Sequence, residues 1–172
     1  MAAKKTNLED CIQRAKKLVS YNCPYVWSGN GEEYSSFLVS DLARMETSLD
    51  NMTRVLRYII NHEIDKRARI FDCSGFIYYL FQKYKLVSGD ITAHGLYQKY
   101  PKVALQNIKP GDLLYKVENF VDEKGDVRKR AYHVGLYIGD NVVIHCKGRD
   151  YGLIKELTTN ERWVEANRPE WT

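Results

Sequence analysis

Apolar positions at Leu8, Cys11, Ile12, Ala15, Leu18 and Val19 follow a 3.6-residue period with Lys and Arg opposite them, which predicts a helix over 8–20 packed on a core. The stretch Tyr21-Asn22-Cys23-Pro24-Tyr25-Val26-Trp27-Ser28-Gly29-Asn30-Gly31 then breaks that period. Its two large aromatics, Tyr25 and Trp27, either anchor the loop in the core or line a pocket. Between 37 and 64, Leu38, Leu42, Met45, Leu49, Met52, Leu56 and Ile59 alternate four- and three-residue steps without Pro or Gly. This reads as one long helix, or as a helical hairpin turning at Thr47–Asn51, whose polar side chains suit a cap. Lys66-Arg67-Ala68-Arg69 is a solvated basic end. Phe76, Ile77, Leu80, Phe81 and Tyr84 restore the helical period from Asp72 or Cys73 onward, and a short helix is expected over 92–100. From Ile108 the pattern changes to strands, at 113–121, 131–138, 142–147 and 152–157, separated by the turns Asp122–Asp126 and Gly139–Asn141. Trp163 and Trp171 mark a tail fastened to the body. His62 and His94 have no metal-ligand partner at helical spacing and read as polar surface residues.

Composition narrows the class. A chain of 172 residues with 44% apolar content can build one core. The net charge of +4 is compatible with an anionic polymer, a cell wall or a nucleic acid. The positive residues are scattered and no nucleic-acid signature occurs, so no nucleic-acid partner is expected. The segment Met1–Asn7 lacks the apolar core of a secretory signal, and no run reaches the length of a membrane span. The four cysteines, Cys11, Cys23, Cys73 and Cys146, show neither CxxC nor metal-ligand spacing. A disulfide is not needed at this size.

The candidate chemistry starts at Phe71-Asp72-Cys73-Ser74-Gly75-Phe76, which puts one thiol where a loop becomes a helix. Unpaired N–H groups and the positive end of the helix dipole favour a thiolate there, so a lowered pKa is expected. The plain alternative is a small buried apolar residue. Hairpin register decides whether His133 and His145 cooperate. With a three-residue loop, Gly139-Asp140-Asn141, Ile138 faces Val142, Gly135 faces His145, and the two histidines become diagonal neighbours roughly 7 Å apart. A two-residue loop would send them to opposite faces. Asn141 tolerates the left-handed conformation such a loop needs. One imidazole can then hold the other in the tautomer that a base toward a thiol requires.

These pieces together resemble the NlpC/P60 family of papain-like cysteine peptidases. The resemblance is carried by Pro24-Tyr25-Val26-Trp27-Ser28-Gly29, by the Cys73 hexapeptide, by Lys109-Pro110-Gly111-Asp112-Leu113, by His133-Val134-Gly135-Leu136-Tyr137-Ile138-Gly139, and by Val143-Ile144-His145. It implies an α+β, papain-like fold with N-terminal helices packed on an antiparallel sheet. It also implies a single catalytic domain over 1–172. Cys73 matches the nucleophile, His133 the base and His145 the polar residue that orients it. Tyr25 matches a tyrosine beside the cysteine that helps hold an oxyanion, and Asp72 and Ser74 match positions bordering the subsite for the peptide's amino-terminal part. Trp27 joins them as a substrate-binding candidate. The expected activity is hydrolysis of peptidoglycan stem peptides at the D-γ-glutamyl–diamino acid bond, through a thioester, with no metal or organic cofactor.

The chain departs from the family pattern in three respects. Ser28 stands where glycine is common. Roughly forty residues separate Trp27 from Phe71, far more than an ordinary loop, which defines a helical insert at about 32–69. That insert offers a lid, a restriction on substrate, or a surface for a protein partner or dimer. Third, neither a signal peptide nor a wall-binding repeat is expected, although the substrate lies in the bacterial cell wall; a phage or mobile-element protein fits that. The rival readings are an amidase or acyltransferase of the same fold and a non-catalytic wall-binding module.

Overall fold

A computed structural model describes residues 6–172; Met1–Lys5, part of the stretch read for a signal segment, lie outside the described residues. Helix α1, Asn7–Ser20, starts in a capping box. The Thr6 hydroxyl accepts the Glu9 N–H at 3.2 Å and the Glu9 carboxylate accepts the Thr6 N–H at 2.8 Å. Its buried face is Cys11, Ala15 and Leu18. No helix among the described residues is long and apolar enough to cross a membrane.

The 37–64 stretch is a helical hairpin. Helix α2 spans Val39–Met45 and α3 spans Leu49–Asn61, with Ser48 capping α3 by accepting the Asn51 N–H at 3.1 Å. Leu42 and Val55 pack with Val26 and Ile70 in a small core that Met45, Met52, Leu56 and Ile59 partly cover. Leu38 and Leu49, expected in the stripe, are exposed: each sits at a helix start, where the chain has left the phase of the preceding turns. A two-stranded antiparallel ribbon, β1 (Asn30–Glu33) with β2 (Arg69–Phe71), brings both ends of this segment together.

Helix α4, Cys73–Phe81, is buried on most sides, with Phe76, Ile77, Leu80 and Phe81 fully enclosed. A side chain at Gly75 would collide with the Gly29 carbonyl, so the glycine lets the loop before β1 lie directly on the helix start. Helix α5, Ala93–Lys99, is capped by Thr92. Strands β3 (Lys102–Val103), β4 (Leu113–Val121), β5 (Val127–Gly139), β6 (Val142–Gly148), β7 (Gly152–Leu157) and β8 (Glu165–Asn167) form one antiparallel sheet in the order β3-β8-β4-β5-β6-β7. Val134, Leu136, Ile144 and Cys146 face the helices, while Leu114, Tyr137 and Val143 pack on the other face against Trp163. Trp171 fastens the tail between Phe81 and Tyr84 and donates from Nε1 to the Gly111 carbonyl at 3.1 Å.

The β5–β6 turn corrects the expected loop while keeping its consequence. Asp140 and Asn141 alone form the turn, both left-handed at φ 51° and 57°. Gly139, at φ 97°, pairs with Val142, where Ile138 was expected. A bulge between Tyr137 and Gly139 supplies the residue that the shorter turn removes, so Leu136 opposes Ile144 and the rest of the register survives.

Candidate active site

Asp72 builds the mouth of α4. One carboxylate oxygen accepts the Gly75 N–H at 2.7 Å and the other the Ser28 N–H at 3.1 Å, so a single side chain caps the helix and grips the loop beside it. The Ser74 hydroxyl donates to Asp72 at 3.3 Å. Main-chain bonds from Val26 to Phe71 (2.9 Å) and from Asp72 to Gly29 (2.8 Å) complete the seam. Burial pushes the Asp72 carboxyl up against these donors.

Cys73 is 9% exposed, and its thiol points to the Tyr132 carbonyl at 3.9 Å. The Val134 N–H also faces the sulfur, so the sulfur lies against β5 at the two residues that flank His133. The expected lowering of its pKa is overturned. Burial first, then the Asp72 charge, push the thiol up to about 12, outweighing the N–H groups of Val134, Ser74 and Cys73 itself. A sulfur this deeply enclosed loses more from desolvation than a helix start returns. All four cysteines are free and buried; Cys73 differs from the others in lining a cleft.

His133 is 8% exposed and His145 is fully enclosed. Nε2 of His133 lies 2.7 Å from Nδ1 of His145, and Nε2 of His145 lies 2.7 Å from a Glu156 carboxylate oxygen. The two rings therefore share a face, as the register argument required. Trp163 stacks on His133 at 5.7 Å and meets His145 edge-on at 5.2 Å. The fit demands Gly135, since a Cβ there would lie 2.7 Å from Val143, 3.0 Å from the Trp163 ring and 3.1 Å from His145. Burial, then the neighbouring His145 and Lys116, bring His133 down to about 3. Burial also lowers His145, although Glu156 opposes it. Both rings are thus neutral near pH 7.

A cleft of about 610 Å³ opens over Cys73. Tyr25, Trp27, Asp72, Cys73 and Ser74 line it, together with Ala131, Tyr132 and His94. Five of the seven candidates thus meet at one cleft, and no residue of 32–69 lines it. His133 and His145 are not among its lining residues; they stand on β5 and β6, under Trp163. His94 corrects its expected surface role: it is half-buried in the cleft wall, and its Nδ1 accepts the Ala131 N–H at 3.3 Å. Trp27 is a half-exposed rim residue. Burial, with Cys73 and Asp72 nearby, keeps the Tyr25 phenol protonated and therefore a hydrogen-bond donor.

Glu156 is the site residue that sequence reasoning missed. It opposes Val143 across β6 and β7, while His145 opposes Ile154, so Glu156 is the diagonal neighbour of His145. The strand alternation that puts the two histidines on one face, carried one strand further to β7, leads to Glu156. No group of three or more His, Cys, Asp or Glu residues among the described residues is arranged to hold a metal.

Comparison with known proteins gives the family. The model of the NlpC/P60 family matches residues 22–168. No curated protein matches the chain. Among solved structures, NlpC2 from Trichomonas vaginalis superimposes with a TM-score of 0.61 at 17% identity, over 100% of this chain and 49% of that one, so this chain spans about half its length. The peptidoglycan hydrolase RipB from Mycobacterium tuberculosis gives 0.58 at 18% identity, covering 96% of this chain and 66% of that one. RipD from the same organism, described as a non-catalytic domain adapted to peptidoglycan binding, gives 0.57 at 17% identity, over 96% and 98%. At these identities the structures speak for the fold, an α+β arrangement of helices on an antiparallel sheet. The family model, which spans most of the sequence and both the cysteine and histidine stretches, shows that the chain belongs to the NlpC/P60 family.

Proposed function

We propose that the chain is a cysteine endopeptidase acting on peptidoglycan stem peptides, at the D-γ-glutamyl–diamino acid bond, with Cys73 as nucleophile, His133 as base and His145 as its orienting partner. The observation that carries this reading is that Cys73 lines the cleft while its thiol rests on β5 at both neighbours of His133. Nε2 of His133 is engaged by His145, and its Nδ1 has no hydrogen-bond partner among the described residues. That nitrogen is the one left to take the thiol proton.

The neutral thiol and neutral imidazole set the order of events. As Sγ attacks the amide carbonyl, its proton passes to Nδ1 of His133, so thiolate forms only during attack. The oxyanion is held by the Cys73 N–H at the helix start and by the Tyr25 hydroxyl, donors of a kind each worth on the order of 10²–10³ in rate. The C–N bond breaks as His133 returns the proton to the leaving amine. Water then attacks the thioester, gives its proton to His133, and releases the acid and the thiol. Asp72, Ser74 and Trp27 border the peptide's path.

Defined peptidoglycan of a diaminopimelate and of a lysine wall type, followed by product masses, tests the reading. Cut stem peptides with wild type and none with Cys73→Ala are expected. A second reading, a wall-binding module, draws on the thiol being held protonated. Retention on peptidoglycan with every stem peptide intact would favour it and overturn the hydrolase.

A further inference from the structure

We propose that Glu156 is a positioning residue that selects the tautomer of both histidines and so determines that the lone pair of His133 sits on Nδ1. This rests on the reading of His133 as the base. An ionised carboxylate can only accept, so the 2.7 Å contact from His145 requires a proton on Nε2 of His145. A neutral His145 then presents a lone pair at Nδ1. The 2.7 Å contact from His133 must consequently be donated by Nε2–H of His133, which leaves Nδ1 of His133 unprotonated. One charge at the far end of the chain of bonds thereby orders two rings.

The surroundings keep Glu156 ionised without charging the histidines. Lys147 reaches both its oxygens at 3.3 Å, and Asn160 donates to it at 3.3 Å. Lys147 also pairs with Glu161 at 2.6 Å, and Lys116 pairs with Glu161 at the same distance. Two lysines from β4 and β6 thus balance two carboxylates, and no proton is required on either imidazole for neutrality. The Trp163 ring covers the pair from the third side. When His133 takes a proton during attack, the positive charge meets a partner whose far nitrogen is already tied to an anion. That arrangement stabilises the ionised state without moving a proton along the chain.

Imidazole ¹⁵N chemical shifts of the full-length protein, read for wild type, Glu156→Ala and Glu156→Gln, decide the matter independently of turnover. Wild type is expected to show His133 and His145 each protonated at Nε2 alone. Glu156→Ala should scramble that pattern and lower kcat on the order of 10²-fold with KM within about twofold. Glu156→Gln, whose carbonyl still accepts, should restore the pattern but leave kcat about tenfold down, because the charge is gone. If Glu156→Ala does not fold, Glu156→Gln against wild type still separates charge from hydrogen bond. An unchanged ¹⁵N pattern in Glu156→Ala, or wild-type rings protonated at Nδ1, would overturn the proposal. Failure of the wild type to cut any stem peptide, with the ¹⁵N pattern as expected, would overturn the peptidase reading and leave the tautomer assignment standing.

Discussion

Glu46 and Glu156 are both enclosed carboxylates beside the site, and their partners separate their roles. Glu46, at the end of α2, has a side chain with 0% exposure. It accepts the Trp27 N–H at 2.9 Å and meets the Arg149 guanidinium with bonds of 2.8–3.0 Å. Arg149 in turn lies 5.3 Å from the centre of the Tyr25 ring. A guanidinium keeps its charge at every working pH, so this carboxylate fixes geometry: it ties the α2–α3 hairpin to the cleft wall. Glu156 meets a neutral imidazole, whose protons can sit on either nitrogen. The same functional group becomes mechanical when its partner cannot titrate and chemical when it can.

The largest losses are expected at Cys73 and at the histidines beside Glu156. Cys73→Ala is expected to have no measurable muropeptide hydrolysis, and His133→Ala to lose on the order of 10³-fold or more, with a milder loss for His145→Ala. Wild-type turnover in Cys73→Ala would place the nucleophile elsewhere. On the other side, Glu46→Ala removes one half of an enclosed pair and strands Arg149. A loss of about 3 kcal/mol in urea unfolding is expected. Its kinetic signature should also differ from that of Glu156→Ala: KM rises as Trp27 and Tyr25 lose their support, with kcat less affected. A pure kcat effect would contradict the mechanical role.

The pH dependence follows from His133. Its pKa is lowered to about 3 in the folded protein by burial, then by His145 and Lys116. The unfolded chain therefore binds the extra proton first as pH falls. Stability from this group is complete above about pH 6.5 and is lost between there and about pH 3, at up to about 1.4 kcal/mol per pH unit. Lys116, Lys147 and Glu161 face the same pair and are already ion-paired across this range. Initial rates measured while the protein stays folded should keep their acid limb well below 6.5. A limb at the ordinary imidazole value would mean that the ring is solvated during turnover.

Much of this was legible in the chain because its periodicities are strong. The enclosed face of α4, the limits of β4 and β7, and the shared face of His133 and His145 follow from apolar spacing and strand alternation. What escaped depends on contacts that no local pattern encodes. The thiol's environment could not be read from its position at a helix start, because the depth of burial is set by β5, sixty residues on. Glu156 looks like an ordinary outward residue between Lys155 and Leu157. His94 was hidden for the same reason: only the packing of α5 on β5 turns it into the cleft. The turn at Asp140 and Asn141 shows the converse, since a bulge restored a register that loop length alone would have broken.

The smallest expected effect sits where the two walls are stitched. Ser28 adopts φ 63°, a left-handed conformation that costs a serine free energy and glycine very little. Its side chain makes no hydrogen bond among the described residues; its N–H holds Asp72, and glycine would keep that donor. Replacing the residue therefore trades lost strain against the greater freedom of glycine in the unfolded chain, about 1 kcal/mol each way. Because the left-handed strain is paid only in the folded state, Ser28→Gly should be neutral to about 0.5 kcal/mol stabilising in urea unfolding, with kcat unchanged. A destabilisation above about 1 kcal/mol would show that the serine hydroxyl, and not its backbone alone, holds Trp27 and Asp72 in place.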